Sequence, residues 1–323
     1  FNQFIFEHFP DGTDFKDLDL LNVINQFDHL PISDVAAFSI DDATTTEIDD
    51  AFSITQLPFG SFRIGIHIAA PALGIAPESS LDRLAATRLS TVYLPGNKIT
   101  MLPDDIIHHF TLSENRLSPV VSLYLNVSDD CSIVSCESKL ERIKIAANLR
   151  SNLVETQFSE TALNKGEILH PFSSELILLW KFACKMEASR GKANDNNDKI
   201  DYSFEIQNDR VTINERRRGS PIDKVVSELM IYINTEWGKQ LSDAGITGIF
   251  RSQNNGKVRM STSPAPHQGL GVSQYAWSSS PMRRYVDLIN QRQIISLLRG
   301  ETPFYNKESA NLSVTINDFE TSY

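Results

Sequence analysis

Residues 34–69 read DVAAFSIDDATTTEIDDAFSITQLPFGSFRIGIHIA. Three stretches within them, DVAAFSI, AFSITQL and FRIGIHIA, alternate apolar and polar positions around turn-forming breaks, the period-2 signature of short strands in a mostly antiparallel sheet. An acidic run fills the first connection, and among its carboxylates Asp41, Glu47, Asp49 and Asp50 are singled out. His67, on what reads as a central strand, is expected to be a structural hydrogen-bonder.

The pattern continues downstream. SPVVSLYLNVSDDCSIVSCESKL (118–140) reads as a hairpin with Asp129 and Asp130 in its turn, and YSFEIQNDRVTIN (202–214) as another. Helical periodicity marks residues 140–157, 173–190, 222–242 and 282–299. PESSLDRLAATRLSTVYLP is expected to be one helix, capped by Ser79 or Ser80 and stopped before Pro95, with Tyr93 at its end. RGKANDNNDKID (190–201) reads as a polar surface loop, and SVTINDFETSY at the C-terminus as a helix beginning. The fold class is therefore α+β, a mixed, mostly antiparallel sheet packed with helices.

The 323 residues are 41% hydrophobic and 22% charged, the profile of a folded chain with a substantial core and one main catalytic body. Nothing approaches the roughly 18 uninterrupted apolar residues of a membrane span, and the first residues lack the basic-then-apolar order of a signal peptide. A cytoplasmic location without a membrane partner is expected. The three cysteines lack paired zinc-type spacing, which points away from zinc and disulfides. A net charge of −11 argues against a nucleic-acid partner, but basic knots at Arg216–Arg218, Arg283–Arg284 and Lys257 with Arg259 supply local positive charge in the C-terminal half.

Several carboxylates held close by sequence are costly unless a cation neutralises them, and hard oxygen donors suit magnesium or manganese. A solvated acidic turn or a calcium loop is the alternative, although Ile40, Ile48 and Ala51 bracket the run with apolar residues. The second chemistry-bearing segment is GLGVSQYAWSSSPMRRYVDLINQR (269–292). Its hydroxyls, helix start and guanidinium suit phosphate binding and stabilisation of a charged transition state. A helix cap with surface arginines is the alternative there.

Together, IDDATTTEIDDA (40–51) and YAWSSSPMRRYVDLINQR (275–292) resemble the two signatures of the RNB catalytic domain of ribonuclease II, ribonuclease R and the related exosome exonuclease. TVYLPGNKITMLP, LSENRLSPVVSL, VVSELMIYIN and PAPHQGLG extend the likeness over nearly the whole chain. The resemblance implies a sheet and helices around a central RNA channel. It also implies a magnesium-dependent hydrolase, with manganese as a substitute, that degrades single-stranded RNA processively from the 3′ end and releases nucleoside 5′-monophosphates. Carried over by position, Asp41, Glu47, Asp49 and Asp50 would hold the metal, and Asp49 and Arg283 would be catalytic. Tyr93, Glu228, Ser280 and Arg284 would contact RNA.

The expected layout is a lead-in segment over 1–33 and an RNB catalytic domain over 34–323 that stops short at its C-terminus. No cold-shock or S1 domain is expected, nor a DNA partner, and the chain is expected to be a monomer. It departs from the family pattern at Glu47 (usually aspartate), Ala70 (aspartate), Ser278 (an aromatic) and Gln291 (histidine), and no aromatic clamp residue precedes Tyr202 in the polar loop. Those departures motivate a second reading, an RNA-binding paralogue with weakened catalysis.

Overall fold

A computed structural model describes residues 2–9, 12–15, 27–94, 96–168, 170–192, 200–207, 210–217 and 219–322. In chain order the elements begin with α1 (Asn2–His8), β1 (Ile32–Asp41), β2 (Asp50–Gln56), β3 (Phe62–Ala69), α2 (Ser80–Arg88), β4 (Val92–Leu94), β5 (Asn97–Ile99) and α3 (Asp104–Phe110). They continue with β6 (Leu117–Val127), β7 (Ile133–Arg150), α4 (Ser151–Gln157), α5 (Glu160–Lys165), α6 (Ser173–Ser189), β8 (Ile200–Gln207) and β9 (Arg210–Arg217). The last are α7 (Pro221–Asp243), β10 (Phe250–Asn254), β11 (Lys257–Ser261), α8 (Tyr285–Arg299) and α9 (Ala310–Ser322).

Strands β1, β2, β3, β6 and β7 form a closed barrel in that order. Every neighbouring pair is antiparallel except β1 with β7, whose parallel pairing closes the cylinder through Phe38 opposite Ala147 and Ile40 opposite Leu149. The α+β class with a mostly antiparallel sheet stands. The closing ladder is its one parallel part.

Alternation along the strands sorts side chains into two faces. Phe38, Phe52, Ile64, Ile66, Ile68, Leu123 and Leu125 are buried in one apolar cluster with Phe182 of α6, Leu229 and Trp237 of α7 and Ile294 of α8. Truncating one of the fully buried aromatics would cost roughly 3–5 kcal/mol. The opposite face is the barrel interior, because the Tyr124 hydroxyl of β6 reaches Ser33 of β1, a non-adjacent strand, at 3.0 Å.

Part of this interior is polar. His67 bridges Ser53 at 2.9 Å through Nε2 and Ser122 at 2.8 Å through Nδ1. Burial pushes its pKa down to about 3, so the ring stays neutral. Gly65 makes room for the bridge: a Cβ there would lie 2.4 Å from Ser53 Oγ and 2.5 Å from His67 Nε2.

Two sequence expectations are corrected here. Residues 140–150 are strand, not helix, because Glu141, Ile143 and Ile145 are the buried members of a period-2 series that pairs with both β6 and β1; only Ser151–Gln157 is helical. The helix opened by Ser79, whose hydroxyl accepts the Asp82 N–H at 3.1 Å, ends at Arg88. Leu89 turns the chain with φ of +60°, and Tyr93 sits on strand β4. Most of the polar loop, 193–199, lies outside the described residues, as do the side chains of Arg216–Arg218. Among the described residues no helix is long and apolar enough to cross a membrane.

Candidate functional site

Strands β1 and β2 diverge toward the open end of their ladder, and the acidic run spans the gap. Ile48, buried in the core, anchors the loop: its N–H donates to Thr111 Oγ1 at 2.8 Å and its carbonyl accepts the Leu112 N–H at 3.1 Å. Asp41 then ends β1, Asp50 begins β2 opposite Ile68, and Asp49 lies between as a buried carboxylate.

Asp49 joins the two signature segments. Its Oδ1 accepts the Met282 backbone N–H at 3.0 Å, and Arg283 Nε stands 3.6 Å from Oδ2. The segment that presents them is tightly held. Asn234 of α7 accepts the Ser278 N–H at 2.8 Å and donates to Ser279 Oγ at 3.1 Å, while the Arg283 carbonyl accepts the Thr91 N–H at 3.0 Å. Fixed at its backbone, Arg283 leaves 41% of its side chain exposed above the carboxylates.

The electrostatics are those of charges crowded away from water. Burial raises Asp41 to about 6, against the pull of Ser39 and Arg150. Burial, and then the neighbouring Asp41 carboxylate, raise Asp50 to about 7. Asp49 is held well above the ordinary carboxylate range, chiefly by burial, with Arg283 acting against it. Asp41 Oδ2 and Asp49 Oδ2 are buried with no hydrogen-bond donor. Unpartnered hard oxygens and mutually repelling carboxylates are the donor chemistry that a small divalent cation satisfies. As the side chains stand, no three acidic, histidine or cysteine groups among the described residues are grouped closely enough to hold a metal. Asp41, Asp49 and Asp50 fit such a cation by donor type and by need.

Glu47 is placed differently from these three. Its Oε1 accepts from the Thr91 hydroxyl at 3.1 Å, and its Oε2 accepts from the Tyr93 hydroxyl at 3.2 Å and Lys98 Nζ at 3.1 Å. Tyr93 is 60% exposed; burial of its hydroxyl end and the nearby Glu47 push the phenol upward, so it remains a donor.

The other expected RNA contacts each have partners within the protein. Arg284 donates twice to Asp287, at 2.8 Å each, and stacks on Trp277. The Ser280 N–H donates to the same Asp287 at 2.9 Å. Glu228 on α7 receives the Arg190 guanidinium, with Nε at 3.1 Å, and Arg190 also reaches the Leu270 carbonyl. Two departures from the family pattern meet: Gln291 donates to the Ala69 carbonyl at 2.7 Å and accepts the Ala72 N–H at 3.2 Å, bracing the turn that contains Ala70. Sequence reading passed over Thr91, Lys98 and the Met282 N–H. Lys98 lies inside a segment singled out for other residues, and no spacing rule pairs it with Glu47.

A sequence model described as the RNB domain matches residues 30–259 and 256–300. Exoribonuclease 2 of Escherichia coli (strain UTI89 / UPEC) is 27% identical over 327 aligned residues, covering 82% of this chain and 50% of that protein. The chain thus spans about half the length of the curated relatives it matches. Among solved structures, Mycoplasma genitalium RNase R in complex with ribose methylated single-stranded RNA shares the fold with a TM-score of 0.75 at 18% identity, over 95% of this chain and 57% of that one. Yeast Ssd1, a pseudonuclease, shares it with a TM-score of 0.72 at 14% identity, over 93% of this chain and 44% of that one.

Proposed function

The chain belongs to the RNB domain family, and on that premise we propose that it is a hydrolytic 3′-to-5′ exoribonuclease that acts processively on single-stranded RNA and releases nucleoside 5′-monophosphates. Magnesium, or manganese in its place, is the cofactor of this reading. It further takes the chain to be a cytoplasmic monomer that acts on RNA rather than DNA.

The observation that carries the proposal is the junction at Asp49, where one carboxylate receives the Met282 N–H and faces Arg283. It brings the acidic run and the Ser-Pro-Met-Arg segment to one point. Asp41, Asp49 and Asp50 would hold the divalent cation, which would polarise the scissile phosphate and favour deprotonation of the attacking water. Arg283, exposed above them, would bind the non-bridging phosphate oxygens and offset the charge that builds on them during attack. Tyr93 offers an aromatic face beside the carboxylates, where a terminal base would stack without sequence preference. Water adds to phosphorus, the bond to the preceding O3′ breaks, and that oxygen leaves as the 3′-hydroxyl of the shortened chain.

Incubation of 5′-labelled single-stranded RNA with the protein and magnesium tests this reading. A descending ladder that is lost in Asp49→Asn supports it. RNA that is bound but left uncut with both magnesium and manganese sinks it in favour of a non-catalytic RNA-binding protein. The withdrawal of Glu47 onto Lys98, together with the shared fold of a pseudonuclease, favours that second reading; the retained Asp41, Asp49, Asp50 and Arg283 favour hydrolysis.

A further inference from the structure

Glu47 is 5% exposed, and a buried carboxylate needs a counter-charge and donors for its lone pairs. It has both within the protein. Lys98 supplies the charge at 3.1 Å, and its Nζ is also held by Thr46 Oγ1 at 2.7 Å. The Thr91 and Tyr93 hydroxyls supply the remaining hydrogen bonds. Lys98 and Tyr93 face each other in the β4–β5 register, so one carboxylate fastens both strands of that hairpin. Asp41 Oδ2 and Asp49 Oδ2 differ in having no donor at all.

We propose that Lys98 is a tethered cation for Glu47, which makes Glu47 a positioning residue that seats the β4–β5 hairpin and its Tyr93 ring beside the site, while Asp41, Asp49 and Asp50 hold the divalent cation without it. This rests on the metal-dependent reading above and narrows it. A metal that used Glu47 would have to displace the ammonium and take away the acceptor to which the Thr91 and Tyr93 hydroxyls donate. Asp41, Asp49 and Asp50 remain for the divalent ion, and Glu47 sets the geometry of base stacking.

Calorimetric titration with Mn2+ alone, on the purified chain and its Glu47→Gln, Lys98→Met and Asp50→Asn variants, tests the metal half. Glu47→Gln is expected to bind Mn2+ with the parent stoichiometry and within about threefold of its affinity, whereas Asp50→Asn weakens binding by about a hundredfold. Lys98→Met frees Glu47 and adds a second, weaker Mn2+. Fluorescence anisotropy with an oligoadenylate in chelator, which requires no turnover, tests the positioning half. Glu47→Gln and Lys98→Met are each expected to weaken RNA binding about tenfold, as Tyr93→Ala does, and Glu47→Gln combined with Tyr93→Ala is no weaker than Tyr93→Ala alone.

Loss of a bound Mn2+ in Glu47→Gln, or a weakening as large as that of Asp50→Asn, makes Glu47 a ligand and overturns the proposal. Parent-like RNA affinity in both Glu47→Gln and Lys98→Met overturns it too. If the parent takes up no Mn2+, the metal-dependent hydrolase itself fails, and the RNA measurements still decide the role of the hairpin.

Discussion

Replacing Asp50 by asparagine should make the metal-free protein more stable at neutral pH while abolishing its response to metal. Burial and Asp41 raise Asp50 from 3.8 to about 7. The folded state therefore holds a proton there that the unfolded chain releases above pH 4. Because the folded state binds more protons across that window, stability falls as pH rises from about 4 to about 7 and levels off above it. A shift of about three units corresponds to about 4 kcal/mol at about 1.4 kcal/mol per unit. Asp50 keeps partial solvent contact and shares its repulsion with Asp41, so we expect about 1–2 kcal/mol of it to be measurable. Asparagine has the same shape and no charge to desolvate. Chemical denaturation in chelator at about pH 5 and about pH 7.5 should show the parent losing stability between the two while Asp50→Asn loses less and exceeds the parent at the higher pH. Added Mg2+ should then stabilise the parent and leave the variant unchanged. A variant less stable than the parent at the higher pH in chelator, with an undiminished pH slope, would refute the argument that these carboxylates are mutually strained.

Gly65→Ala drives a methyl group into the Ser53–His67 bridge inside the barrel and should cost about 2–3 kcal/mol, measured by urea denaturation at fixed pH. Arg283→Lys keeps the charge but loses the planar fork; single-turnover cleavage should slow about a hundredfold with the melting temperature unchanged. Asp82 accepts from Arg292 at 2.7 Å and from the Tyr285 hydroxyl at 3.0 Å in the core. Asp82→Ala leaves that guanidinium buried without its counter-charge and should cost about 3–5 kcal/mol, whereas Arg63→Ala, whose partner Glu137 is exposed, should cost under about 1 kcal/mol in the same assay.

The antiparallel strands were legible where one face of a strand is apolar and the other small or polar, as in residues 34–69, but not their closure into a barrel. The sequence was misread at 140–150 because Leu140, Ile143 and Ala147 also fit a helix-like spacing, and only pairing with β6 and β1 decides between the two periods. At the site, the sequence grouped Asp41, Glu47, Asp49 and Asp50 as one set, whereas in the fold Asp49 meets the Met282–Arg283 segment and Glu47 is drawn onto Lys98. What sequence does not carry is the identity of a side chain's partner. Arg283 and Arg284 are adjacent in the chain, yet one faces Asp49 and the other is consumed by Asp287 and Trp277. Glu47 and Asp49 belong to one acidic run, but Lys98 claims the first and the Met282 N–H the second.

The parallel closure between β1 and β7 also sets a timetable for synthesis. β1 leaves the ribosome about a hundred residues before the strand that seals it, and non-local pairing of this kind is slow to form. Until Arg150 has emerged, β1 presents an unpaired edge open to misassembly with other chains. Met282 and Arg283 arrive later still, so Asp49 waits for more than two hundred further residues before the N–H and guanidinium of the finished fold can meet it. A nascent chain arrested between the two points would have a completed cylinder and no Met282–Arg283 segment against Asp49, and pulse proteolysis of stalled ribosomes should find the barrel protected before the acidic loop.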